Sequence, residues 1–342
     1  LKSPANFMVI GKETMRRLDT PAKVAGKAVY GIDVKIPGMA IASLAQCPVI
    51  GGTPKSYDAT VALKVAGVIK VVQISDGVAV LAKDFYAARK GRDALKINWD
   101  EGQNASLSNA TVRKSLEAGL SQKGAVIKTV GDVNKSASGG KAISAQYFLP
   151  YLAHSTMEPV NCSADVSNGK CRIIGPIQFQ QGGQAVAAAA AGVKPEDVTI
   201  ETTFLGGGFG RKLELDFIRQ AAEISKAAGM PVKMLWTKED DITHDFYRPM
   251  SIHQLDGVLG ANGQLEFMKA KMVSQSVTAR AFPGFVKDGF DPFMVEGSNN
   301  VTYDIPNMEI TNVITDTGLR VGYWRSVSNA LNAFAIESRS EE

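Results

Sequence analysis

At 342 residues, with 45% hydrophobic and 21% charged residues, the chain is long enough for two or three domains and too long for one small one. Its 38 basic and 34 acidic residues leave a net charge of +4, small for this length, so neither a nucleic-acid partner nor an anionic membrane surface is implied. No run of about 18 apolar residues suggests a spanning helix, and LKSPANFMVIGKETMRR lacks both a signal-peptide core and an apolar stretch after Arg16-Arg17.

Residues 1–19 read as an N-terminal extension. From Lys27, KAVYGIDVKIPGMAIASLAQCPV alternates apolar and polar residues around Pro37-Gly38, the pattern of a hairpin. VALKVAGVIKVVQISDGVAVLAKDFYAARKGRDALKINWDEG then predicts a short helix, the strands VIKVVQI and VAVLA, a helix from Lys83 and the strand ALKINW. Residues 20–100 read as one compact α+β unit. Residues 101–142, rich in Ser, Asn, Gly and Lys, read as a linker holding one amphipathic helix capped by Ser108 or Asn109.

A second α+β unit spans residues 143–342. It holds a hairpin around Asn168-Gly169, an Ala-rich helix near 182–192 and the strand VTIETTFL, which leads into the glycine loop FLGGGFGRK. The helix LELDFIRQAAEISKAAG follows with Phe217, Ala221, Ile224 and Ala228 on one face. VKMLWT is the next strand, KEDD at 238–241 reads as a solvated strand end, and SIHQLDGVL and QLEFMKAKMVSQS form a long antiparallel pair about Ala261-Asn262-Gly263. The start without Met and the ending SRSEE read as the ends of a piece of something longer.

Cys47, Cys162 and Cys171 cannot all pair, and no CxxC or Cys/His spacing suited to a metal occurs. A Cys162–Cys171 bridge is sterically conceivable across a hairpin, but buried thiols are the commoner outcome and the one we expect.

Four glycines within five positions at 206–210 need a reason, because each costs conformational entropy on folding. A phosphate-binding P-loop would place Ser or Thr after the lysine, and Leu213 stands there instead. A dinucleotide fingerprint from Gly206 and Gly208 would need a glycine at 211, where the chain has Arg. Tight backbone packing is the remaining reading from composition alone, although strand, glycine loop and helix is also the order that turns N–H groups toward an anion.

The stretch VTIETTFLGGGFGRKLELDFIRQAAEISKAAGMPVKMLWTKEDDITHDFYRP resembles the molybdenum-binding subunit of the xanthine oxidase and aldehyde oxidase family, in its isoquinoline 1-oxidoreductase beta-subunit branch. RRLDTPAKVAGKAVYGIDVKIPGM, YLAHSTMEPVNCSADV, GPIQFQQGGQAVAAAAAGV and GYWRSVSNALNAFAIES agree with it in the family's order, so the likeness spans nearly the whole chain. It implies an a/b hammerhead domain over residues 20–100 and the first part of the molybdopterin-binding domain over 143–342. The glycine loop would face the metal's apical oxo group, with Gly207, Gly208, Phe209, Gly210 and Arg211 against the cofactor. Gln178 resembles the glutamine beside the cofactor, and Arg325 the arginine near the pocket.

By the same resemblance the cofactor is a molybdenum-molybdopterin cytosine dinucleotide, and no residue of this chain ligates the metal. The activity implied is hydroxylation of an aldehyde or an N-heteroaromatic such as isoquinoline, with oxygen taken from water. The glutamate that serves the family as base falls beyond residue 342, so no catalytic residue is assigned. A small subunit with two 2Fe-2S clusters, a cytochrome c acceptor and a periplasmic or cell-envelope location are implied by analogy. Leu213 replaces a purine-binding glutamate, which speaks against xanthine as substrate, and Leu152 replaces a glutamine of other branches. A non-catalytic scaffold that binds partner subunits is the alternative; a nucleotide-binding module is disfavoured by Arg211 and Leu213.

Several other residues have plainer readings. His154 and Glu158, four apart, lack a third metal ligand and read as structural, as do His244 and His253. Glu214 and Asp216 read as helix stabilisers at the positive end of the dipole. Arg211 and Lys212 either meet a cofactor phosphate or are solvated, and the sequence leaves that open.

Overall fold

The computed structural model describes residues 1–12, 16–133 and 140–340. Its strands are β1 (Ala40–Gln46), β2 (Thr53–Asp58), β3 (Val68–Ile74), β4 (Gly77–Ala82), β5 (Lys96–Asp100), β6 (Ala125–Val130), β7 (Lys141–Leu149), β8 (Asn161–Ser167), β9 (Lys170–Gly175), β10 (Val198–Thr202), β11 (Val232–Leu235), β12 (Ser251–Leu259), β13 (Leu265–Ser274) and β14 (Asn307–Ile314). The α-helices are α1 (Thr20–Val24), α2 (Phe85–Asp93), α3 (Asn109–Gly119), α4 (Gln180–Ala191), α5 (Asp216–Ala228), α6 (Lys238–Thr243) and α7 (Asn329–Ser340). The expected α+β character holds as a mixture of helices and sheets.

A seven-stranded sheet runs β10-β9-β8-β11-β1-β4-β3, so strands from the 20–100 stretch and from beyond residue 160 share one set of hydrogen bonds. The stretch 20–100 therefore does not form one sheet of its own: β2 and β5 pair separately, while β1, β4 and β3 pair with one another and join the larger sheet through β11. β4, GVAVLA, is buried along its whole length because both faces are covered. Ala79 and Leu81 join the core with Phe217, Ala221 and Ile224 of α5, while Ala82 packs with Ala87 and Ala88 of α2. The apolar face expected for α5 is this one, with Ala228 at its end.

The five-stranded sheet, β6-β14-β13-β12-β7, is also covered on both faces. Alternation along its strands sends Ile252, Val273 and Val313 toward Val112 and Leu116 of α3, and Leu255, Met268, Ala270, Met308 and Ile310 toward Ala335 of α7.

Several sequence expectations hold. Ser108 caps α3 reciprocally with Thr111, the β8–β9 hairpin turns at Asn168-Gly169, and β12 pairs antiparallel with β13. Cys47, Cys162 and Cys171 are free buried thiols; burial raises Cys162 above its ordinary value and pushes Cys171 up to about 11.

Three expectations are corrected. The hairpin about Pro37-Gly38 does not form, because only Ala40–Gln46 is a strand. The segment before the turn spends its polar groups elsewhere. The Ile32 N–H donates to Glu158 at 3.1 Å, Lys233 Nζ binds the carbonyls of Ile32 and Val34 at 2.6 and 2.8 Å, and the Phe204 N–H binds Val29 O at 3.2 Å. The 101–142 linker contains β6, an edge strand paired to β14, and its tail is the start of β7; its residues 134–139 lie outside the described residues. KEDD is not a strand end but opens α6, whose Thr237 cap and Asp240 bond each other's N–H groups, and Asp241 within it is buried.

Candidate functional site: the glycine loop and the Arg325 segment

The loop between β10 and α5 is held at both ends and open in the middle. Its Gly206 N–H donates to Glu158 Oε2 at 2.9 Å, and its Gly210 N–H to Gln178 Oε1 at 3.3 Å. The N–H groups of Gly207, Gly208 and Phe209 have no acceptor among the described residues. Gly208 is buried and Gly207 half-buried, and such N–H groups rarely stay unmatched, so these two, beside that of the exposed Phe209, mark a place built for an acceptor.

The backbone there is unusual for a physical reason. Gly207 and Gly210 sit at φ of +100° and +104°, and Phe209, which is not glycine, at +53°. Gly208, between them, is not in the positive-φ region, and such alternation of backbone hand turns neighbouring N–H groups to one side, an anion-receiving concavity. A β-carbon at Gly208 would fall 2.4 Å from Gln178 Oε1. Bare backbone is what lets Gln178 lie under the loop, and the Gln178 N–H is itself fixed by Lys212 O at 2.9 Å.

Phe209 and Arg325 are both exposed, and the Arg325 guanidinium lies 5.8 Å from the Phe209 ring centroid. The Arg325 segment reaches the loop through Tyr323, whose carbonyl presses on Gly210. Gly322 N–H binds Tyr247 O at 3.1 Å and Trp324 Nε1 binds Ala153 O at 3.2 Å, which fasten the segment to the HDFYRP and YLAHSTMEP stretches. Six of the seven sequence-derived residues, Gln178, Gly207, Gly208, Phe209, Gly210 and Arg325, thus come together at the glycine loop.

Arg211 does not join them as a free cation. Its side chain is fully buried, bidentate to Asp216 at 2.9 and 2.8 Å, and its Nε lies 3.1 Å from Asp245 Oδ1. Burial disfavours its charge, but Asp216 and Asp245 outweigh that and raise its pKa. Lys212 is as deeply buried and bonds Glu158 Oε2 at 2.8 Å. Neither solvation nor phosphate contact, the two readings left open for this pair, describes them: both cations bolt the loop to the body.

Glu158 is the counterpart that sequence reading undervalued. Besides Lys212 and Gly206 it accepts from Asn161 Nδ2 and the Ile32 N–H, each at 3.1 Å. Burial pushes its carboxyl up, but Lys212, the Gly206 N–H and Asn161 pull it further down, below the usual value. His154 and Glu158 are engaged with separate partners: His154 Nδ1 lies 3.0 Å from Asp245 Oδ1. His244 Nε2 lies 3.0 Å from Cys47 O and His253 Nε2 3.0 Å from Ser251 Oγ, also structural roles. Of the two expected helix stabilisers, Asp216 serves the first turn of α5 and Arg211, whereas Glu214 precedes the helix and pairs with Arg280 at 2.6 Å. No cluster of three metal-ligating side chains occurs among the described residues.

The donor set fits a molybdenum-pterin group: unmatched N–H donors, a glutamine amide and an arginine suit an anionic, oxygen-bearing ligand, and no metal-ligating side chains are required. Residues 120–339, more than half of the chain, match the molybdopterin cofactor-binding domain, and the chain belongs to that family. The resemblance to the molybdopterin-binding subunit of the xanthine oxidase family is borne out.

The chain is 29% identical over 99% of its length to isoquinoline 1-oxidoreductase subunit beta of Brevundimonas diminuta. It is 28% identical over its whole length to a membrane-bound aldehyde dehydrogenase [pyrroloquinoline-quinone] of Gluconacetobacter polyoxogenes. It spans about half the length of these relatives, 45% and 47%. Its fold is similar to that of the aldehyde oxidoreductase of Desulfovibrio gigas, with a TM-score of 0.71 at 18% identity over 95% of this chain and 41% of that one.

Proposed function

We propose that this chain is the cofactor-facing part of a molybdenum hydroxylase large subunit, acting on an aldehyde or an N-heteroaromatic such as isoquinoline. The observation that carries the reading is the run of unmatched N–H groups at Gly207, Gly208 and Phe209, set between Gln178 and Arg325. The names of two relatives, an isoquinoline oxidoreductase and an aldehyde dehydrogenase, support the substrate classes. In this reading residues 20–100 carry the hammerhead label, and a separate 2Fe-2S subunit, a cytochrome c acceptor and an envelope location complete the enzyme.

When bound, the cofactor supplies a two-electron redox centre for oxidising an electron-poor carbon with oxygen from water. The chain's own residues hold and orient it. The loop N–H groups would hold it as donors, Gln178 would add an amide beside them, and Phe209 and Arg325 would limit approach from solvent. Arg211 and Lys212 are engaged internally, so the pyrophosphate of a cytosine dinucleotide would draw on Arg325, from the neighbouring segment, rather than on the loop's own cations. That internal engagement also favours, as second reading, a scaffold that binds partner subunits without cofactor.

Molybdenum by elemental analysis and pterin by fluorescence, measured on this chain and on its full-length gene product, separate the two. Stoichiometric metal and pterin in the full-length protein are expected. Neither, with maturation factors present, would leave the scaffold.

A further inference from the structure

Asp245 was singled out by no motif, yet both sides of the site hang on it. It is fully buried in the turn after α6. Its carboxylate accepts the main-chain N–H of His154 at 2.5 Å, faces His154 Nδ1 at 3.0 Å, accepts the Phe246 N–H at 2.7 Å and meets Arg211 Nε at 3.1 Å. Its carbonyl oxygen accepts Arg320 Nε at 3.2 Å. His154 Nε2 lies 3.4 Å from the Tyr323 carbonyl, the group that presses on Gly210.

Neutralising Arg211 does not require this arrangement, since Asp216 already binds that guanidinium through two bonds. The extra acceptor sites of Asp245 are spent on direction. Charge-assisted hydrogen bonds fix angle as well as distance, which apolar packing does not. One arm, an ion pair rather than an aligned hydrogen bond, leads through Arg211 to the end of the glycine loop. Two others, through Arg320 and through His154 and Tyr323, lead to the segment that carries Arg325.

We propose that Asp245, acting with His154, is the positioning hub of this site, setting the spacing of Phe209 against Arg325 and the aim of the Gly207–Phe209 N–H groups. The coupling holds whatever group binds; only its meaning for the cofactor rests on the function proposed above. His154 and Asp245 are positioning residues, not catalytic ones.

The test reads hydrogen exchange at the bonded N–H groups of Gly210, Arg211, Gly322 and Trp324, with β12 and β13 as internal reference. His154→Phe keeps a ring but removes both polar contacts. It is expected to raise exchange at these four positions tenfold or more and to leave the reference strands unchanged. His154→Asn, which returns a donor toward Asp245, recovers part of the protection. Arg320→Gln, which cuts a different arm, should raise exchange at Gly322 and Trp324 and combine non-additively with His154→Asn.

Unchanged exchange in His154→Phe, a rise shared equally by β12 and β13, or strict additivity would overturn the hub. If His154→Phe does not fold, the Asn and Gln variants carry the same comparison. Molybdenum and pterin content of the wild-type full-length protein, measured in parallel, reports on the proposed function alone, so either reading can fail without the other.

Discussion

The carbonyl oxygen of Tyr323 lies so close to Gly210 that a β-carbon at residue 210 would fall 1.5 Å from it. Gly210 also sits at φ +104°, where side chains are strained even in open space. Gly210→Ala is therefore expected to push the Arg325 segment away and to destabilise the protein by about 2–4 kcal/mol. Thermal unfolding against the wild type checks this. A midpoint within a degree of wild type would mean that the two segments are not in register.

Phe209 presents the opposite case, a side chain held at φ +53° where glycine would rest without strain. Phe209→Gly should keep stability or raise it by about 1 kcal/mol. In the full-length protein it should lower pterin retention. Loss of stability together with unchanged retention would contradict a binding role for the ring.

Lys212 and Glu158 form a buried pair, with side chains 1% and 6% exposed. Lys212→Met leaves the carboxylate uncompensated and is expected to cost about 3–5 kcal/mol. Glu158 is held below its ordinary value in the folded state, so its contribution is present above the unfolded carboxylate pKa and is lost as pH falls through the lower folded value. The acid limb of stability should accordingly be shallower in Lys212→Met below about pH 4.5. Parallel urea titrations across that range decide it.

His253 is buried in β12, and burial pushes it down from 6.5 to about 4. The folded state resists its protonation, so stability is full above pH 6.5 and declines as pH falls toward 4. The integrated loss is up to about 3 kcal/mol. His253→Gln removes this titration, and its stability between pH 6.5 and 4 should fall less than that of the wild type. Superimposable profiles would show that His253 does not govern this limb.

Much of the fold was legible because its signals are local. Ser108 sits three residues from its capping partner Thr111, the β8–β9 turn is two residues, and the α5 face repeats at helical spacing. β6 escaped because AVIKTV is a half-exposed edge strand beside Ser- and Lys-rich sequence, and its partner β14 begins nearly 180 residues later. The site residues were legible through a motif likeness, and the structure gathers most of them. Arg211 and Lys212 were not, since Lys212 is turned inward by Glu158, 54 positions away, and Arg211 by Asp245, 34 positions away, as well as by the nearer Asp216. A cation beside a glycine loop looks alike in sequence whether it faces a phosphate or a carboxylate.

The parallel pairing of β1 with β11 joins Ala40 to Val232, 192 residues apart. A ribosome adding about 5–20 residues per second needs roughly 10–40 s to cover that distance. During this interval β1 can pair with β4 but has no neighbour along its other side. The nascent chain therefore carries an open strand edge through much of its synthesis, and an early chaperone contact over residues 40–46 would shield it.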